Sequence, residues 1–159
     1  MRAPVDRRGP AYHLIVMEIR ARRATDLPGC VATLRAVHDA DGYPLNWPAD
    51  PRAWLDPPGT RAAWVAVDGE TVTGHVLLTD EGELSRLFVG PGFRGGGTAR
   101  ALVGAARAAS GGGLFLEVAG EAAAAFYERT GWTHTGTETA DWTAPDGSPV
   151  TVRRYVLPA

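Results

Sequence analysis

The sequence predicts one α/β domain built on a largely antiparallel sheet, and three observations support this fold class. The chain has 159 residues, of which 45% are hydrophobic, so a single core can bury roughly 70% of the unfolded surface. Two alternating apolar runs, "RAAWVAV" and "TVTGHVLLT", flank Asp68 and Gly69, a pair typical of a tight hairpin. The predicted elements follow in the order β-α-(α)-β-β-β-α-β-α-β-β.

The N-terminal part of the chain is predicted to contain a strand and then a helix. Residues 1–12 are rich in Arg and Pro and lack periodicity, so we expect a flexible leader before a single domain over residues 13–159. The run "HLIVMEIRAR", which starts at His13, alternates as a strand does. The helix after it has Thr25 or Asp26 as its candidate N-cap.

Glycine and proline mark the boundaries of the remaining elements. Gly42 is expected to end the first helix, and the proline-rich loop after it leaves room only for a short helix at Pro51–Leu55. The run "ELSRLFV" predicts a third antiparallel strand, and a helix over about residues 96 to 109 follows. "LFLEV" is the next strand, Gly131 ends the last helix, and two strands around "APDGSP" complete the chain.

Composition and charge argue against several kinds of partner. The formal net charge is -2 and the basic residues are scattered, so we expect neither nucleic acid nor a membrane surface as a partner. No window approaches the roughly 20 apolar residues of a membrane span. Without a secretory signal pattern, and with a single cysteine, Cys30, the chain is expected to be cytoplasmic. Every basic residue is arginine, which indicates a bacterium with a GC-rich genome.

The glycine-rich stretch "VGPGFRGGGTAR", residues 89–100, lies between a predicted strand and a predicted helix. As a G-x-G-x-x-G fingerprint it would bind a nicotinamide dinucleotide, with Glu117 on the ribose. An antiparallel meander precedes it, however, and only about 40 residues follow Glu117, too few for the rest of that fold. A nucleotide-hydrolysing P-loop would need a lysine where Thr98 stands, and the chain contains no lysine.

A third interpretation places the start of a helix at about Gly96, inside the segment from Arg94 to Ala99. The first N–H groups of a helix have no partner within it, and the helix dipole favours anions. These amides can therefore surround a pyrophosphate, and glycine lacks the Cβ that would keep the anion at a distance. The stretch is predicted to bind a diphosphate.

The same six residues match the R/Q-x-x-G-x-G/A signature of the GCN5-related N-acetyltransferases (GNAT), and a second motif supports the resemblance. "LFLEV" and "AAAAFYERTGW" resemble that family's fifth strand and its fourth helix, which carries a Phe-Tyr pair. The resemblance covers residues 64–132, and the order of elements extends it to about residues 14–157. It implies the GNAT fold, an α/β architecture with a mixed, largely antiparallel sheet of about six to seven strands, helices on both faces, and splayed strands four and five.

By this resemblance, acetyl-CoA is held mostly by main-chain groups between strands four and five. Leu87, Phe88 and Val89 would offer hydrogen bonds to the pantetheine arm, and the N–H of Val89 would also polarise the thioester carbonyl. The diphosphate would be held by Arg94, Gly95, Gly96, Gly97, Thr98 and Ala99. Gly120 stands where many members carry an asparagine, so one polar contact near the last helix is missing.

Catalytic roles are also implied by the resemblance. Tyr127 matches the family tyrosine that donates a proton to the departing thiolate, and a phenol with a pKa of about 10 is protonated at neutral pH. Glu83 matches the position of a base in some members. Strand alternation predicts that Glu83 shares a face with Ser85, Leu87 and Val89.

Further residues are candidates for supporting roles. Glu117, His75 and His134 are weaker candidates for the base. Tyr43 and Trp47 lie in the loop that borders the acceptor site in the family, and aromatic walls suit a small amine. No group of His, Cys and Asp has metal-ligand spacing, so no metal is expected.

The resemblance implies an N-acetyltransferase that transfers an acetyl group from acetyl-CoA to a primary amine of a small molecule or peptide. The amine attacks directly, without an acyl-enzyme, and coenzyme A is the second product. Two alternatives remain open, a binding module that responds to acyl-CoA and a nicotinamide-binding domain. Homodimers are common in the family, which leaves a homodimer open here.

Overall fold

The computed structural model describes residues 17–159; the expectations for the leader at residues 1–12 and for a strand start at His13 lie outside this range. The strands and helices of the described chain follow the predicted order. Short 3-10 turns lie at Ala24–Asp26 and Pro91–Phe93. The strands are β1 (Glu18–Ala21), β2 (Thr60–Asp68), β3 (Thr71–Thr79), β4 (Leu84–Val89), β5 (Leu114–Val118), β6 (Thr133–Thr143) and β7 (Pro149–Leu157). The helices are α1 (Leu27–Asp41), α2 (Pro51–Leu55), α3 (Thr98–Ser110) and α4 (Glu121–Arg129).

The strands form two antiparallel sheets that meet at one point. The first has the order β1-β2-β3-β4 and the second β5-β7-β6. A single parallel bridge between Glu83 and Phe115 joins them, supported by a 3.2 Å hydrogen bond from the N–H of Phe115 to the carbonyl of Gly82. Within residues 17–159 no further ladder links β4 to β5, so a gap separates them beyond this bridge. The predicted GNAT fold with splayed fourth and fifth strands is confirmed.

Helices cover both faces of the first sheet. Helices α1 and α2 pack on one face, where Leu34, Leu55 and Phe88 belong to one hydrophobic cluster. Helices α3 and α4 contribute to the cluster on the other face, with Leu102 and Tyr127 among its buried members. The sheet thus separates an α1/α2 side from an α3/α4 side, and the gap between β4 and β5 connects the two. No helix within residues 17–159 is both long and apolar enough to span a membrane.

Strand β4 contains a bulge, which corrects one prediction about side-chain direction. The register pairs Leu77 with Ser85 and His75 with Phe88, so two β4 residues lie opposite Val76. One of these is Arg86, whose φ of 52° is in the left-handed region. An extra residue reverses the alternation beyond it.

The predicted common face for Glu83, Ser85, Leu87 and Val89 is therefore wrong. Ser85 pairs with Leu77 on the α1/α2 side, and Glu83 shares its parity, whereas Leu87 and Val89 join the cluster on the α3/α4 side. The bulge thus directs the carboxylate of the candidate base and the candidate coenzyme-binding residues to opposite sides of the sheet.

Helix α3 begins two residues later than predicted and packs closely on the sheet. Its N-cap is Gly97, whose φ of 80° is not helical, so the first helical residue is Thr98 rather than Gly96. Beneath it, a Cβ on Gly74 would lie 3.0 Å from a Leu102 methyl group and 3.3 Å from that of Thr98. Glycine at position 74 therefore lets the start of α3 sit directly over β3.

Candidate active site

Two main-chain amides of β4 face the gap. The N–H of Gly90 donates to the carbonyl of Thr73 at 2.8 Å, which makes Gly74 and Val89 a non-hydrogen-bonded pair in the ladder. The main-chain groups of Val89 thus point away from β3. Strand alternation gives Leu87 the same direction and turns Phe88 toward β3, where it pairs with His75. Of the three residues predicted to contact pantetheine, Leu87 and Val89 thus differ from Phe88, whose main-chain groups face β3.

The first turn of α3 presents uncapped amides beside this gap. No side chain caps the helix. The N–H groups of Thr98, Ala99 and Arg100 lie in its first turn, so no carbonyl within the helix can accept a hydrogen bond from them. A Cβ at Gly95, Gly96 or Gly97 would meet nothing within 4 Å. Residues 94–99, which we call the diphosphate cradle after their predicted ligand, thus leave open space around these amides for an anion to approach.

The side chain of Arg94 fastens the cradle to its surroundings. Its guanidinium donates two hydrogen bonds of 3.3 Å to the carbonyl of Val89 and forms an ion pair with Asp41 at the end of α1. These contacts orient the loop between β4 and α3. The main chain of the segment, more than the Arg94 side chain, is left to contact a ligand.

Tyr127 lies on the inner face of α4, among the buried residues of the α3/α4 cluster. The residue is 6% exposed, and its ring packs edge-on against Phe126 and Trp132. Its hydroxyl forms no hydrogen bond with any of residues 17–159, whereas that of Tyr155 donates to Glu128 at 2.9 Å. Burial, and then the nearby Tyr43, raise the pKa of Tyr127 well above its usual value. The phenol is protonated at physiological pH.

Glu83 lies at the start of β4, where the two sheets meet. Its N–H donates to the Thr79 hydroxyl at 3.0 Å, and the side chain is half-buried. Burial and the neighbouring carboxylate of Glu117 raise the pKa of Glu83. A carboxylate with a raised pKa is a stronger proton acceptor near neutral pH. Glu117, a weaker candidate for the base, forms an ion pair with Arg154, with 3.9 Å between its Oε1 and a guanidinium nitrogen.

Aromatic residues from the α1–α2 loop reach the α1/α2 side of the gap. The Tyr43 ring lies 6.2 Å from that of Trp54, over which the Arg86 guanidinium sits at 4.4 Å. Removal of the hydroxyl from water raises the pKa of Tyr43 to about 12, although 36% of the residue is exposed. Trp47 instead packs on α1, with its ring 5.3 Å from His38. Tyr43 therefore borders the gap, and Trp47 supports α1.

A cavity of about 470 Å³ between α3 and α4 was not anticipated from the sequence. Its lining includes Arg100, Arg107 and Arg129, together with Phe126 and Trp132, and contains no carboxylate. Within residues 17–159 none of these arginines forms an ion pair. Arg100 directly follows the diphosphate cradle, so the cavity continues it. The spacing of seven residues between Arg100 and Arg107 places both on one helix face, and this spacing could have indicated the cavity from the sequence.

The remaining candidates have structural positions. His75 is fully buried between β2 and β4, and Cys30 is fully buried in the core as predicted. His134 is exposed on β6, where its Nε2 lies 2.8 Å from the carbonyl of Gly136. Across the described range, no three His, Cys, Asp or Glu side chains are grouped to bind a metal.

The fold has the two-sheet architecture with splayed central strands described above, and the comparisons with known proteins bear on its family. Residues 59–134 match the family model described as the acetyltransferase (GNAT) domain. The resemblance to the GNAT family is thereby confirmed over these residues. The fold and the match support acyl-CoA-dependent N-acetyltransferase activity. No curated protein sequence matches the chain.

Solved structures share this fold. The ribosomal-protein-S18-alanine N-acetyltransferase of Escherichia coli aligns with a TM-score of 0.69 at 20% identity, over 89% of this chain and 93% of that one. YjaB of Escherichia coli, solved in its apo form, aligns with a TM-score of 0.64 at 28% identity, over 89% and 97%. NAA60 of Arabidopsis thaliana in complex with acetyl-CoA aligns with a TM-score of 0.70 at 18% identity, over 89% and 97%.

Proposed function

We propose that this protein transfers the acetyl group of acetyl-CoA to a primary amine of a small molecule or peptide. The observation that carries the proposal is the uncapped first turn of α3 beside two β4 amides that face an open gap. The cradle holds the diphosphate, and the pantetheine arm follows the gap along Leu87 and Val89. The acceptor approaches from the α1/α2 side, past Tyr43.

The proposed reaction is a direct acyl transfer in which each proton has a named partner. The neutral amine attacks the thioester carbonyl, a C–N bond forms, and a β4 N–H stabilises the negative oxygen. The C–S bond breaks, and Tyr127 donates its proton to the departing thiolate. Glu83 accepts the proton that the amine nitrogen loses. Transfer of that proton to solvent and return of one to Tyr127 complete the cycle.

A thiol-release assay tests this function directly. The full chain is incubated with acetyl-CoA and a panel of primary amines, which includes polyamines, amino acids and short peptides with free N-termini. We expect free coenzyme A to appear at a rate that depends on the amine. Binding of acetyl-CoA without thiol release for any amine would favour an acyl-CoA-responsive binding module instead.

Glu83→Gln is expected to remove the acidic limb of the pH profile. Because the carboxylate is the active form and its pKa is raised, kcat/KM of the wild type should rise as pH increases through that raised value. The amide cannot accept the proton, so activity should fall by about tenfold or more and lose this pH dependence.

Glu70→Gln is the matched control, since Glu70 is exposed in the turn between β2 and β3 and is not among the charges that shift the Glu83 pKa. It should retain the wild-type profile. Glu117→Gln should move the acidic limb to lower pH, because it removes the charge that raises the Glu83 pKa. An unchanged profile in Glu83→Gln would exclude this residue as the base.

The arginine-lined cavity is expected to bind the 3′-phosphate of the coenzyme. Wild-type protein should therefore have a lower KM for acetyl-CoA than for acetyl-dephospho-CoA. The difference should be about tenfold, because charge-assisted hydrogen bonds to a phosphate contribute modestly at an exposed site. The double variant Arg107→Gln and Arg129→Gln should lose this preference, whereas Arg52→Gln, an exposed arginine on α2, should keep it. Equal KM values for both substrates in the wild type would contradict this assignment.

A further inference from the structure

His75 makes two directed hydrogen bonds from the interior of the sheet. The residue is fully buried, its Nδ1 lies 2.8 Å from the Arg86 carbonyl, and its Nε2 lies 2.9 Å from a guanidinium nitrogen of Arg22. Arginine can only donate, so Nε2 accepts and Nδ1 carries the proton that is donated to Arg86. Burial lowers the pKa of His75 to about 4, which keeps the ring neutral. Its ring also stacks on Phe88, with centroids 5.2 Å apart and planes inclined by 17°.

Arg22 anchors this histidine to the α1/α2 side. The same guanidinium donates to the carbonyl of Leu55 and pairs with Asp56 at 2.6 Å. The Arg22 side chain is only 8% exposed, so both ends of the imidazole are held in a dry environment. A chain of contacts thus runs from the end of α2 through Arg22 and His75 to the β4 bulge.

The carbonyl at the end of this chain belongs to the peptide unit that forms the bulge. Arg86 has a φ of 52°, a conformation that non-glycine residues adopt only when their surroundings hold it. The peptide bond is planar and trans, so its N–H points opposite to its C=O. With the Arg86 carbonyl directed at His75, the Leu87 N–H is directed away from the α1/α2 side, toward the α3/α4 side of the gap.

We propose that His75, held by Arg22, is a positioning residue that aims the Leu87 N–H at the thioester carbonyl of acetyl-CoA. This inference rests on the proposed function, and it goes beyond it in choosing Leu87 over Val89 and in assigning His75 and Arg22 a role in catalysis. The N–H of Val89 faces the same gap, but its position depends only on ordinary strand pairing with β3. A preset donor stabilises the oxyanion without reorganisation during the reaction.

Two amide substitutions separate the two hydrogen bonds of the imidazole. The side-chain nitrogen of asparagine falls near the place of Nδ1, so His75→Asn keeps a donor for the Arg86 carbonyl and loses the contact with Arg22. Glutamine reaches the place of Nε2, so His75→Gln keeps a partner for Arg22 and leaves the bulge carbonyl without a donor. We expect kcat to fall by about tenfold in His75→Gln at an unchanged KM for acetyl-CoA, and to stay within about threefold in His75→Asn.

The resonance of the Leu87 amide gives a readout that does not depend on turnover. In 15N-labelled wild type this amide proton should shift between the coenzyme A complex and the acetyl-CoA complex, and the shift should shrink in His75→Gln but persist in His75→Asn. The positioning role would be overturned if the wild-type Leu87 amide proton had the same shift in both complexes, or if the two variants had equal kcat values. Thiol release by the wild type would uphold the proposed function in either case. A wild type that binds neither molecule would overturn both.

Discussion

Tyr127→Phe is expected to lower kcat by about 100-fold or more, with the KM for acetyl-CoA changed by less than about twofold. The ring contacts remain, and only the proton donor to the departing thiolate is lost. The expected fall in kcat is the size typical for removal of a general acid. The hydroxyl forms no hydrogen bond within residues 17–159, so its removal should not lower the melting temperature. Steady-state kinetics with acetyl-CoA and the best amine of the panel measure this effect.

Tyr155→Phe is the matched control for this experiment. Its hydroxyl donates to Glu128 at 2.9 Å, and the residue is fully buried. Loss of that hydrogen bond should cost about 1 kcal/mol of stability and leave kcat unchanged. The two substitutions are chemically identical and should have opposite effects on activity and stability. Equal kcat values in Tyr127→Phe and the wild type would exclude Tyr127 as the acid.

Acid is expected to destabilise the folded protein through His75 by about 3 kcal/mol between pH 7 and pH 4. The pKa of His75 falls from its ordinary 6.5 to about 4 in the fold, mainly because of burial, with added repulsion from Arg22 and Arg86. Between these values the unfolded chain binds a proton that the folded chain does not. The stabilising contribution is therefore complete above pH 6.5 and is lost as pH falls toward 4.

Urea unfolding of the wild type and of His75→Asn across this range measures the contribution. The free energy of unfolding should fall more steeply with acid in the wild type, since asparagine does not titrate. Glu83, whose raised pKa has the opposite effect, and Asp26, whose lowered pKa acts at more acidic pH, are common to both proteins and cancel in the difference. Parallel curves for the two proteins would show that His75 titrates normally.

Local signals account for the part of the fold that the sequence predicted. The Asp68–Gly69 turn, the end of α1 at Gly42 and the strand "LFLEV" all depend on a few neighbouring residues. Such features follow from the preferences of glycine and from alternation, which act within one element. The prediction of a diphosphate site in the glycine-rich loop also depends on local chemistry, because such a site is formed by consecutive amides.

Features that depend on pairing between distant elements were not predictable. The bulge at Arg86 carries no glycine, and its position is fixed by the register with β3 and by the hydrogen bond from His75. The arginine-lined cavity joins residues from α3 and α4, which are adjacent only after folding. The packing of Trp47 on α1 is also a contact between distant residues, and it could not be read from the loop sequence that placed Trp47 among the acceptor-site candidates.

Calorimetric titration of acetyl-CoA into three proteins tests the central claim, that the uncapped amides of α3 bind the diphosphate. Gly96 and Gly112 lie near opposite ends of α3, and for both a Cβ would meet nothing within 4 Å and φ is not positive. Gly96→Glu adds a negative charge in the cradle, and Gly112→Glu adds the same charge beyond the other end. We expect one-to-one binding to the wild type and to Gly112→Glu, and affinity weakened by about tenfold or more in Gly96→Glu. Absence of binding to the wild type, or equal affinity for both variants, would contradict the account.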